Sequence, residues 1–184
     1  MAATTSTNTF LQRLIGAMAL DPAIYEEVEA DRSATTQAFG VVVLSSVAAG
    51  IGARGLTGHS NASAIVFITV VSLLLWAAWA LLTFEVGVRL LPGRDTRSSV
   101  GELLRTNGFA ATPGLLRVLG IVPPVAIPVF AVTSIWMLAA MIVAVRHALD
   151  YQNTTRAIAV CIVGWVLAVA AAVGIGMLFG PTVS

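Results

Sequence analysis

Four stretches of the chain carry no Asp, Glu, Lys or Arg: Ser33 to Ala53, Ala62 to Leu82, Val118 to Val145, and Ala157 to the end of the sequence. Each supplies at least the ~20 mostly apolar residues that a helix needs to cross a hydrocarbon layer of ~30 Å. Of the 184 residues, 58% are hydrophobic and 10% are charged, with a mean hydropathy of +0.92. Soluble domains carry about 25% charged residues, so a soluble fold of this chain would lack polar surface. The class is an all-α, polytopic membrane helix bundle. A net charge of +1 excludes nucleic acid as an expected partner. The single Cys161 excludes a disulfide or a multi-thiolate metal site within one chain.

A fifth segment, Gly101 to Ile121, fits less well. Only the eleven residues between Arg105 and Arg117 are uncharged, and Pro113 sits among them. If the segment crosses, there are five spans and the chain ends lie on opposite sides. If it re-enters, there are four, and the loop suggests a polar pathway. With five spans and the N-terminus inside, the inside receives Arg13, Arg32, Arg89, Arg94, Arg97, Arg105, Arg146 and Arg156, and the outside Arg54 and Arg117. Eight against two follows the positive-inside rule; the four-span alternative gives seven against three. The expected organisation is therefore an N-terminal arm, residues 1–32, and a five-span bundle, residues 33–184. The spans fall at about 33–53, 62–84, 101–121, 124–146 and 154–179. The N-terminus is expected in the cytoplasm and the C-terminus on the far side.

In the arm, Phe10, Leu11, Leu14, Ile15 and Met18 recur at helical spacing, as in a helix lying in the membrane interface. No A-x-A-like site follows, so cleavage as a signal peptide is not expected. Asp21-Pro22 is a helix start, a carboxylate at the N-cap and then a residue with no N–H to leave unpaired. Five of the nine acidic residues lie between Asp21 and Asp31. They suggest either a solvated helix face or a divalent-cation site. Further on, Glu85 and Arg89 are spaced as a helical ion pair, and Asn153 is a candidate cap for the last span.

Two features bear on partners. Gly164, Ala168, Ala172, Gly176 and Gly180 form a small-residue ridge at four-residue spacing, ending in a literal GxxxG. Such a ridge admits another helix, from a second copy or from the chain's own bundle. Glu102, Arg105, Asn107 and Arg117 form a candidate polar site in the third segment. It would serve as a vestibule for an ion, a proton or a lipid headgroup. On the other reading, Arg105 and Arg117 snorkel to opposite headgroup layers.

Catalytic constellations are missing. His59 lies in a loop and His147 at a span end, Ser45, Ser46 and Ser72 have no base at comparable depth, and there is no HExxH, P-loop or GxGxxG. No enzyme activity, cofactor or metal is expected.

The stretches LDPAIYEEVEAD, NGFAATPGLL, VRHALDY and TRAIAVCIVGW resemble bacterial members of the Yip domain family, the Ypt/Rab-interacting membrane proteins. The resemblance runs from about Leu20 to Phe179. It implies a five-span bundle in the inner membrane with a cytoplasmic N-terminus. Eukaryotic relatives act in membrane trafficking, contact prenylated small GTPases and one another, and carry an Asp-Leu-Tyr-Gly-Pro motif on a longer arm. Asp21-Pro22-Ala23-Ile24-Tyr25 matches that motif loosely, which makes Asp21, Pro22 and Tyr25 candidate arm contacts and argues against a GTPase partner. The expected function is a membrane-organising or interaction role, with the lipid bilayer, a second copy or other membrane proteins as partners. A small transporter or channel is the alternative.

Overall fold

The computed structural model describes residues 8–57, 62–90 and 99–179. The arm folds as two short helices, α1 (Phe10–Met18) and α2 (Pro22–Ala30). Thr9 and Gln12 cap α1 reciprocally, and the Asp21 carboxylate accepts from the Ala23 N–H at 3.0 Å. α1 closes with the N–H of Asp21 on the Gly16 carbonyl and that of Leu20 on Ala17, at 2.9 and 3.2 Å. This double hook needs a left-handed residue after the cap. Here it is Leu20, at φ 61°.

The bundle comprises α3 (Ala34–Gly52), a one-turn α4 (Arg54–Thr57), α5 (Ala62–Glu85) with a π-helical turn (Val86–Leu90), and α6 (Val100–Ala110). A 3₁₀ helix (Thr112–Ile121), α7 (Pro123–Ala148) and α8 (Thr154–Phe179) complete it. Ser99 and Glu102 cap α6 reciprocally, and the Asn153 side chain accepts from the Thr155 N–H at 2.9 Å to start α8. Glu85 and Arg89 pair at 2.9 Å.

The five-span expectation is corrected. Among the described residues, three helices are long and apolar enough to cross a membrane: Ala34–Leu56, Ile65–Leu90 and Pro123–Ala148. The segment 101–121 is not a continuous helix. It breaks at Ala111, because Pro113 has no N–H to continue the ladder and the chain tightens into the 3₁₀ turns. Neither piece has the length of a spanning helix. In the last helix the apolar stretch among the described side chains is Thr154–Gly164. The protein is thus an all-α, multi-pass membrane protein with three such spans among the described residues.

Two apolar clusters hold the fold. One joins Tyr25 and Val28 of the arm to Val41 and Val42 of α3, Phe109 of α6 and Ala140 of α7. The other joins Trp79 and Val86 to Leu103, Leu149, Val160 and Cys161. α3 lies against the 3₁₀ helix almost backbone to backbone. A Cβ added at Gly52 would sit 1.9 Å from the Arg117 carbonyl oxygen, and one at Gly55 1.9 Å from that of Gly120. Outward, the spans present Phe67, Leu74, Ile127 and Ile135, the surface a helix shows to lipid.

Candidate functional site

The arm end of the bundle carries most of the charge, and Arg13 organises it. Its side chain, 3% exposed, donates to Glu27 at 2.9 Å, Asp31 at 2.6 Å and Gln37 of α3 at 2.8 Å. A buried guanidinium is tolerated when carboxylates neutralise it and fill its planar donors. Hydrogen bonds from Ser33 and from Arg13 hold the Asp31 carboxyl down at about 2. With Arg13 turned inward, α1 points Leu11 and Ile15, 64% and 59% exposed, away from the protein. That outward apolar face suits a helix lying on a bilayer.

The bundle also caps the arm helices at their C-terminal ends. Arg105 of α6, itself buried, donates from Nε to the Val28 and Glu29 carbonyls at 3.0 and 3.1 Å and from Nη2 to the Glu29 carbonyl. The Trp136 indole of α7 donates to the Met18 carbonyl at 2.8 Å. The positive charge of Arg105 sits where a helix presents its unpaired carbonyls and negative pole.

Between α2, α6 and the α7–α8 turn lies a cavity of about 490 Å³, walled by Glu26, Glu29, Glu102, Arg146, His147, Asp150 and Tyr151. Glu26 approaches His147 Nδ1 at 3.4 Å, a pair that is charged only while the imidazole is protonated. Burial raises the Glu29 carboxyl to about 7; Asp150 and Glu102 push the same way and Arg105 opposes them. The α7–α8 turn repeats the α1 hook, with Tyr151 N–H on the Arg146 carbonyl, Asp150 N–H on His147, and Asp150 at φ 52°. The Tyr151 hydroxyl then donates to the Gly87 carbonyl in the π turn at 3.0 Å. Arg146 donates to the Tyr151 carbonyl, at 3.4 Å.

The four residues of the candidate polar site are not brought together. Glu102 caps Ser99 and lines the large cavity, and Arg105 is pinned to α2. Asn107 is fully buried, and neither end of its amide has a hydrogen-bond partner among the described residues. Arg117 lies toward the other end of the bundle, lining a separate cavity. Its guanidinium donates to Thr133 at 3.4 Å and Ser134 at 2.9 Å and covers the Phe130 ring at 5.4 Å. Ser134 stands eleven residues after Pro123 in α7, ~16 Å along the axis at ~1.5 Å per residue. Near the middle of a spanning helix a charge costs at least ~2.5 kcal/mol unless it finds partners.

A family model described as the Yip1 domain matches residues 15–175. The chain belongs to the Yip1 domain family. No curated protein matches it, and no solved structure does.

In this Yip1 domain chain the candidate arm contacts have structural duties. Asp21 caps α2, Pro22 opens it, and Tyr25 is fully buried with its hydroxyl donating to the Ala17 carbonyl at 3.1 Å. Of the ridge, Gly164 packs inside the bundle, where an added Cβ would lie 2.9 Å from Thr83 Oγ1 of α5. The side chains of Ala168, Ala172 and Gly176 lie outside the described ones, and Gly180 and His59 outside the described residues. No group of three or more His, Cys, Asp or Glu among the described residues could hold a metal ion.

Sequence reasoning passed over Arg13, Ser99 and Trp136. The S-x-x-E spacing of Ser99 and Glu102 is a readable capping signal. Arg13 and Trp136 find partners across the fold, and nothing local marks them.

Proposed function

We propose that this Yip1 domain protein is a non-enzymatic interaction protein of the cell membrane whose working surface is the arm end. The observation that carries this reading is the charged cavity under the docked arm, in a molecule whose outward helix faces are apolar. A surface that mixes exposed carboxylates such as Glu26 with Arg146 and His147 in the same cavity wall suits recognition of a protein or lipid headgroup. The arm end is assigned to the cytoplasmic side. Arg13, Arg105 and Arg146 gather there, while Arg54 and Arg117 lie toward the other end, in keeping with the positive-inside rule. The transport reading is not favoured, because Glu102 and Arg117 line separate cavities.

The test is photocrosslinking in native membranes from position Glu26, with lipid-facing Ile127 as the control site. Discrete adducts with protein or lipid headgroup are expected from position 26, and loss of those adducts on Arg146→Glu. Adducts equally abundant from Ile127, or solute flux by the purified protein in vesicles, would sink the proposal.

A further inference from the structure

We propose that the smaller cavity, beside Arg117, binds a small inorganic anion of the halide class. Four polar residues contribute to its wall, Ser45 and Ser46 of α3, Trp76 of α5 and Arg117 of the 3₁₀ helix. Each side chain can donate a hydrogen bond, and none carries a negative charge. The Trp76 indole N–H is buried and meets no acceptor among the described residues.

Arg117 makes the case electrostatic. Its partners, Thr133, Ser134 and the Phe130 ring, are all neutral. Thr133 already donates its hydroxyl to the Val129 carbonyl at 2.7 Å, and accepts from Arg117 only at 3.4 Å. Two hydrogen bonds engage two of the five N–H donors of a group that stays protonated in proteins. No ion pair among the described residues includes Arg117. The cation at the other end, Arg13, has two carboxylates; this one has none. Water can solvate a guanidinium but cannot balance its charge in a low-dielectric layer.

Size and the chemistry of the wall select the anion. The cavity is about 70 Å³, well above the ~10–15 Å³ that a water requires and small for a headgroup. The rest of the wall (Val42, Ala49, Ala111, Met137) is apolar, which favours a weakly hydrated monoanion over a multiply charged one. This inference stands apart from the interaction reading.

The experiment uses the full chain in nanodiscs of zwitterionic lipid, with chloride exchanged for gluconate at constant ionic strength. Chloride should raise the unfolding midpoint with the logarithm of its concentration above the dissociation constant, by about 5 °C at roughly ten times that constant. The rise should vanish in Arg117→Gln and persist in Arg146→Gln, which removes a cation at the other end. Iodide should quench part of the tryptophan emission with a saturable profile, and that component should be missing in Trp76→Phe. This second arm decides the matter if Arg117→Gln does not fold. Equal midpoints in the two salts overturn the proposal, as does a chloride effect retained in Arg117→Gln. Iodide quenching that is purely linear, or stabilisation that needs anionic lipid in place of halide, also overturns it.

Discussion

Near neutral pH the Glu29 carboxyl lies close to its midpoint, since burial and then the Asp150 and Glu102 carboxylates raise it to about 7. In the unfolded chain a glutamate titrates near ~4.3. The folded state therefore binds the extra proton between those values, and stability falls as pH rises from one to the other, with nothing further lost above. The unfolding midpoint in detergent should decline from pH 5 to pH 7.5, and Glu29→Gln should flatten that decline. Identical slopes in wild type and variant would remove Glu29 as the cause. Asp31 carries the opposite sign. Ser33 and Arg13 hold it at about 2, so its contribution is present above the ordinary aspartate range and is lost as pH falls through it.

The element scale turns on how closely α3 approaches the 3₁₀ helix. Gly52→Ala puts a methyl group 1.9 Å from a backbone oxygen, where no side chain can turn aside, and should destabilise by about 2–3 kcal/mol. Gly40→Ala, in the same helix with nothing within 4 Å, should be neutral or gain up to about 1 kcal/mol of helix propensity. Unfolding titrations of the pair make each the control of the other; equal effects would mean that the close approach is absent. Hydropathy made α3, α5 and α7 legible, and local cap chemistry placed the starts of α2 and α8 at Asp21 and Asn153. Hydropathy averages over a segment, and that is why it failed between Gly101 and Ile121. Pro113 stops the helix there, and Arg105, Thr106 and Asn107 are buried against protein where composition alone suggests lipid or solvent. Arg13 was passed over for the related reason that its partners are 14, 18 and 24 residues away in sequence.

For the whole molecule, the arm belongs to the core. Tyr25 and Val28 are fully buried in one cluster with Phe109 and Ala140, and Arg13 ties α1, α2 and α3 together. Arg13→Ala leaves Glu27 and Asp31 facing each other without their shared cation. Both carboxylates are part-exposed, so losing their cation costs less than breaking a fully buried pair, about 1–3 kcal/mol. The arm should then gain amide exchange and protease sensitivity while the three spans keep theirs. A protected arm in Arg13→Ala would show that apolar contacts alone dock it.

The donors that Arg105 and Trp136 supply to the arm have a consequence for any partner. Helices of nine residues are too short to persist in water by themselves, and the two here have their last carbonyls satisfied by α6 and α7. Undocking and unwinding are therefore one event. A protein that lifts the arm from the bundle meets a flexible acidic peptide, and must supply new donors for Met18 and Glu29 or leave their carbonyls to water.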